Sequence, residues 1–100
     1  MKLGILITAP PISEDAYTAK QIALHALKLN HEVSIFLMSD GVYNLLLEDL
    51  KDLVKAGAKI FVCEHNATER GVKEVEGVVF GSQVDHAEII HECDRFINFG

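Results

Sequence analysis

Three apolar runs, each followed by a segment of helical pattern, constrain this chain more than any other feature. "LGILIT" (residues 3 to 8), "EVSIFLM" (32 to 38) and "AKIFVC" (58 to 63) are dominated by aliphatic, β-branched and aromatic residues. Strands that read this way are covered on both faces, as in parallel sheets. Between them, apolar residues step by three and four. Ser13 is an expected N-cap, with Glu14 and Asp15 where the helix dipole favours acids. Ala16, Ala19, Ala23 and Ala26, beside Ile22 and Leu29, predict an amphipathic helix over 13 to 29, stopped by a left-handed Asn30.

The pattern continues along the chain. "SDGVY" (39 to 43) reads as a turn. Leu46, Leu50, Leu53 and Val54 predict a helix over 44 to 56 that Gly57 closes. Residues 64 to 71 fit two helical turns, and "GVVFG" (77 to 81) a brief strand. "SQVDHAEIIHEC" (82 to 93) reads as a helix with Val84, Ala87 and Ile90 inside and Ile89 joining less regularly; "RFINFG" (95 to 100) is the last strand. Alternation of this kind implies right-handed βαβ crossovers. The expected fold is α/β: a three-layer α/β/α sandwich with a four- to five-stranded, mainly parallel sheet, flavodoxin-like in general architecture. At 100 residues, a single domain spanning 1 to 100 is expected.

A formal charge of −6 spread along the chain argues against direct nucleic-acid binding, which needs a basic stripe. Two cysteines make no disulfide framework. The opening apolar run spans about six residues, short of the roughly seven to fifteen of a signal-peptide core, and Pro10-Pro11 follows it. No run approaches the roughly 18 residues of a membrane span. A cytoplasmic protein is expected.

In parallel sheets, ligands lie beyond the carboxyl ends of the strands. Four loops meet there: Ala9 to Ile12, Ser39 to Tyr43, Cys63 to Asn66, and Gly81 to Gln83. The first loop, "TAPPISED", has no glycine-rich phosphate cradle, and no Gly-x-Ser-x-Gly elbow or His-Glu-x-x-His is present. Cys63 is the best nucleophile, because a thiol at a helix start meets free backbone N–H groups and the positive dipole end. Equally, a cysteine at a strand end is often a small buried hydrophobe. Arg70, two turns on, and His65 are candidate donors to its sulfur. The segment "EHNATER" has Ala67 as its one apolar residue, so it is expected at the surface with Cys63 reachable. Asp40 is a candidate acid or base, or simply part of an Asp-Gly turn. Tyr43 either leans over the site or packs. Cys93 reads as a core residue at the opposite edge, and His86 and His91 as surface histidines. Leu45, Leu46 and Leu47 exceed what one helix face needs, which predicts an outward apolar patch covered by another subunit.

The sequence resembles the DsrE/TusD-like (DsrE/F) family of small sulfur-relay proteins over nearly its whole length. The residues that carry the likeness are "SEDAYTAKQIALHALKLNHEVSIFLMSDGVYN", "VCEHNATERG" and "DRFINFG", in that order. Asn30-His31 stands where the family has Gly-His, and "EHNATE" is polar where the family is often alanine-rich. The resemblance implies that Cys63, at the family's sulfur-carrying position, takes up a sulfane sulfur as a persulfide and passes it to an acceptor thiol. Arg70-Gly71 matches the family's Arg-Gly. It further implies no bound cofactor, partners that are sulfur donor and acceptor proteins, and a homo- or hetero-oligomer, commonly trimeric or hexameric, of which a homo-oligomer is expected here; no metal is expected, because Cys63 and His65 lack further ligands nearby in sequence. Two other readings stand beside it: a non-catalytic oligomeric binding or assembly subunit with an inert Cys63, and a small-anion or nucleotide binder using the strand-end loops.

Overall fold

The computed structural model describes residues Met1–Gly100. Five strands are present: β1 (Lys2–Ile7), β2 (Glu32–Leu37), β3 (Lys59–Cys63), β4 (Val78–Gly81) and β5 (Arg95–Phe99). Four α-helices connect them: α1 (Glu14–Lys28), α2 (Glu48–Lys55), α3 (Glu64–Glu69) and α4 (Gln83–Glu92). The strands form one sheet in the order β4-β3-β2-β1-β5, and every pairing is parallel. The α/β expectation therefore holds, with five strands and no antiparallel member.

Chain direction explains the layering. From β1 to β4 each strand is laid on the same side of the last, so right-handed crossovers keep α1, α2 and α3 on one face. α4 then returns across the sheet to place β5 beside β1, and the reversal puts it on the other face. The main core accordingly joins Leu3, Ile5 and Ile7 of β1 to Ala16, Ala19 and Ala23 of α1 and to Leu50 and Leu53 of α2. The opposite face has a smaller core of Leu6, Phe36, Cys63 and Ile89, bordered by Met38, Phe61 and Phe96. One ten-residue helix is all that covers it.

Caps and stops fall close to expectation. The Ser13 hydroxyl accepts from Asp15 N at 3.1 Å, Asn30 has φ 65° and Gly57 has φ 105°. Two elements differ. The helix expected over 44 to 56 is split: Ser39–Leu46 is 3₁₀-helical, Leu47 is extended, and α2 starts at Glu48. The break follows from the Asn44 side chain, which is fully buried and donates to the carbonyls of Ala9 (3.1 Å) and Gly41 (2.9 Å). That anchor holds the tight turn against the end of β1, where a Cβ on Gly41 would collide with the Ile7 carbonyl.

The second difference is the rotation of α4. Ile89 is its buried residue, whereas Val84, Ala87 and Ile90 lie outside, Val84 with 66% of its surface exposed. The expected inward stripe exists but points away from the sheet. Ser82 caps α4 through a reciprocal box: its hydroxyl accepts from Val84 N (3.2 Å), and the Asp85 carboxylate accepts from Ser82 N (2.8 Å). No helix is long and apolar enough to cross a membrane.

Candidate functional site

Cys63 is the last residue of β3 and the N-cap of α3, at the carboxyl edge of the sheet. Its strand neighbour on the outer side is Gly81. The thiol is free, makes no capping hydrogen bond, and is only 7% exposed. The expectation of a reachable sulfur is therefore corrected for the single chain. The polar helix α3 does lie at the surface, but β-strand alternation turns the Cys63 side chain to the α4 face, into the small core that also contains Leu6, Phe36 and Ile89.

Arg70 is committed elsewhere than Cys63. Its Nε donates to Asp40 Oδ1 at 3.0 Å and its Nη1 to the Asn66 carbonyl at 3.3 Å. The Asp40 hydrogen bond raises the Arg70 pKa, outweighing the opposing effect of desolvation; the charges of Asp40, Glu69 and Tyr43 add to the rise. Asp40 is thus an ion-pair partner, and the structure brings Asp40, Tyr43 and Arg70 into one neighbourhood. Tyr43 is half-buried against the main core, so it packs. His65 stands apart: its side chain is 80% exposed and its Nε2 lies 3.5 Å from Glu69 Oε2.

Asn66 completes the stitching between α3 and the end of β2. Its Oδ1 accepts from Ser39 N at 2.8 Å, and Ser39 holds a left-handed φ of 52°. A non-glycine residue in that region carries a local cost that the Asn66 bond helps to offset. Asp40, Asn66 and Arg70 together fix the helix that Cys63 caps. Their function in this geometry is positional.

Three residues escaped the sequence reading. Lys20 and Asn44 are the buried polar pair of the molecule: Lys20 Nζ donates to Asn44 Oδ1 at 3.0 Å and lies 2.9 Å from Asp49 Oδ2. Lys20 shares the face of Ala16 and Ala23, and a lysine on that alanine face was the available signal. His86 is no bland surface residue. Its ring stacks on Phe36 with centroids 5.0 Å apart and meets Phe96 at 5.8 Å. Nδ1 lies 3.1 Å from Gln83 Oε1, while Nε2 is buried without a hydrogen-bond partner. Phe36 is thus shared by His86 and by the small core that holds Cys63. Cys93 lies at the amino-terminal edge as expected, half-buried beside Gly4, and it lines a cavity of about 450 Å³ with Leu3 and Ile89. The two thiols are not partners.

A family model for the DsrE/DsrF-like family matches residues 1–99. The chain belongs to that family. A protein of Methanocaldococcus jannaschii is 33% identical to this DsrE/DsrF-like chain, covering 99% of it and 100% of the relative. A protein of Methanopyrus kandleri is also 33% identical, over 95% of this chain and 90% of its own length. Both bear the description "uncharacterized". Among solved structures, the ychN protein of E. coli superposes with a TM-score of 0.85 at 22% identity, covering 98% of this chain and 97% of that one. A conserved protein of unknown function from Bacteroides thetaiotaomicron gives 0.75 at 15% identity, over 98% and 94% of the two chains. These likenesses establish a DsrE-like fold. Membership is consistent with a sulfur-relay type of protein.

Proposed function

We propose that this DsrE/DsrF-like chain is a cytoplasmic sulfur carrier that holds a sulfane sulfur on Cys63 and passes it to an acceptor thiol. The observation that carries the reading is the free Cys63 thiol at the carboxyl end of β3, capping a helix that Arg70 ties down. The other thiol, Cys93, sits at the far edge. In the loading step the Cys63 thiolate attacks the outer sulfur of a donor persulfide. A new S–S bond forms on Cys63, the donor's S–S bond breaks, and the donor leaves as a thiolate. The acceptor thiolate then attacks the outer sulfur, and Cys63 leaves as the thiolate. Neither step needs an external oxidant or cofactor.

Burial of Cys63 sets a condition on this chemistry. At 7% exposure the sulfur is reached only when the small core on the α4 face opens, so docking and opening belong together. The partners are sulfur donor and acceptor proteins, and the working form is a homo-oligomer, trimeric or hexameric. Following labelled sulfane sulfur from a persulfide donor through the protein to an acceptor thiol tests the reading; transfer that persists in Cys63→Ser would overturn it.

A second reading has its own support. The 7% exposure of Cys63, together with the outward apolar residues of α4, suits a non-catalytic assembly subunit with an inert thiol.

A further inference from the structure

One titratable group in the interior has no part in the chemistry described so far. His86 turns inward from α4: its ring lies 5.0 Å from that of Phe36 at an angle of 14°, and meets Phe96 at 5.8 Å. Its Nε2 is buried and has no hydrogen-bond partner. Folded proteins leave few buried polar atoms unpaired, because each has lost its hydration. A third phenylalanine would fill the slot between Phe36 and Phe96 without that cost.

The neighbours of Cys63 fix where His86 stands. On one side Cys63 pairs with Gly81, and Ser82, the cap of α4, follows directly. On the other side the β2–β3 register, which matches Leu37 with Val62, brings Met38 level with Cys63. The Gln83 amide reaches Met38 Sδ at 3.9 Å. The first turn of α4 thus starts on one flank of Cys63 and touches the other, crossing the end of β3. His86, one turn on from Gln83, stacks on Phe36, which shares the small core with Cys63.

Gln83 also fixes the state of the ring. Its amide nitrogen is turned to Met38, so its carbonyl oxygen faces His86 Nδ1 at 3.1 Å and can only accept. Nδ1 therefore carries the proton, and Nε2 presents a lone pair, the form of a base held by its other nitrogen. The rival groups are engaged. Arg70 donates to Asp40 and to the Asn66 carbonyl, and His65 faces solvent beside Glu69. The Asp85 carboxylate accepts from Ser82 N. Lys59, on the same sheet face, stands at the far end of β3.

We propose that His86 is the proton acceptor of the Cys63 thiol. This rests on the sulfur-carrier reading and adds a residue to it. A base beside a thiol activates it as a nucleophile. In the resting chain Nε2 and the sulfur are not hydrogen-bonded, and such contacts commonly form only in the complex with substrate. In loading, Nε2 takes the Cys63 S–H proton and the thiolate attacks the outer sulfur of the donor persulfide. The donor's S–S bond breaks, and the imidazolium gives the proton to the leaving thiolate. In discharge, Nε2 takes the proton of the acceptor thiol and returns it to Cys63 as the Cys63 S–S bond breaks. In each half one S–S bond forms, one breaks, and one proton passes from the entering thiol to the leaving sulfur.

The test follows the rate of one-sulfur mass gain from glutathione persulfide in wild type, His86→Phe and His86→Ala, with folding checked by thermal unfolding. His86→Phe keeps the stack between Phe36 and Phe96 and is expected to load about a hundredfold more slowly. His86→Ala is slowed alike, but added imidazole restores its rate, while pyrazole, of the same shape and far less basic, does not. Neither additive helps His86→Phe, whose ring fills the space. A second measurement needs no variant: long-range proton–nitrogen-15 spectra of wild type in mildly alkaline buffer show the His86 proton on Nδ1 and Nε2 bare. Loading of His86→Phe at the wild-type rate, rescue of His86→Ala by pyrazole as well as imidazole, or a proton on Nε2 would each overturn the proposal and leave the sulfur-carrier reading in place. A wild type with reduced Cys63 that takes up no sulfur removes that reading, and this proposal with it.

Discussion

The Lys20 ammonium lies 3.0 Å from Asn44 Oδ1, with Lys20 only 3% exposed and Asn44 fully buried. This pair ties α1 to the 3₁₀ turn, and through Asn44 to the Ala9 and Gly41 carbonyls, at the edge where the strands end. Asn44→Ala leaves a buried charge with Asp49 alone and two carbonyls without their donor. The expected cost is about 3 kcal/mol, at the lower end for breaking a buried charged network because Asp49 is partly solvated. Lys20→Met keeps the stem's packing and leaves one amide oxygen unpaired, for about 1–2 kcal/mol. Denaturant unfolding followed by circular dichroism ranks the two. Equal and negligible losses would contradict the anchoring role.

Gly41 and Gly71 separate two reasons for glycine. A Cβ at Gly41 would run into the Ile7 carbonyl, so Gly41→Ala forces the turn off β1 and costs about 3 kcal/mol. Gly71 has φ 68° with nothing near its missing Cβ, so Gly71→Ala meets only backbone strain, about 1 kcal/mol. Thermal melts of the two variants check the order.

Arg70→Ala loosens α3 without unfolding the protein, because the Asp40 pair it removes is partly exposed. The helix that Cys63 caps then opens more often. Alkylation of native Cys63 is expected to rise roughly three- to tenfold through local unfolding, with the global melting temperature nearly unchanged. An unchanged alkylation rate would remove the positioning role assigned to Arg70.

In the wild type, Cys63 is expected to alkylate more slowly than Cys93, which lines an open cavity. Peptide mapping after brief exposure to a small alkylating reagent distinguishes the two. A faster Cys63 would mean that the small core around it opens on its own.

β1, β2 and β3 were legible because a strand between neighbours with apolar faces declares itself as an apolar run. The Ser13 cap and the Asn30 stop were legible because local chemistry decides them. The split at Leu47 was not: it depends on Asn44 reaching the Ala9 carbonyl, a contact between residues 35 positions apart. The turn of α4 was misread for a related reason. Val84, Ala87 and Ile90 keep helical spacing, and spacing cannot say whether the surface they meet belongs to this chain or another. The position of Cys63 at a strand end was readable, whereas its burial depends on a small core assembled from β1, β2 and α4. Arg70 and Asp40 were singled out separately, but no spacing rule joins the end of α3 to the turn that follows β2.

Intact-mass spectrometry after exposure to a persulfide donor, on wild type and on Cys63→Ser, decides whether Cys63 takes up sulfur. The wild type is expected to gain one sulfur atom, reversed by reductant and absent from Cys63→Ser. No gain on a wild type whose Cys63 is reduced at the start would contradict it and leave the assembly subunit as the reading.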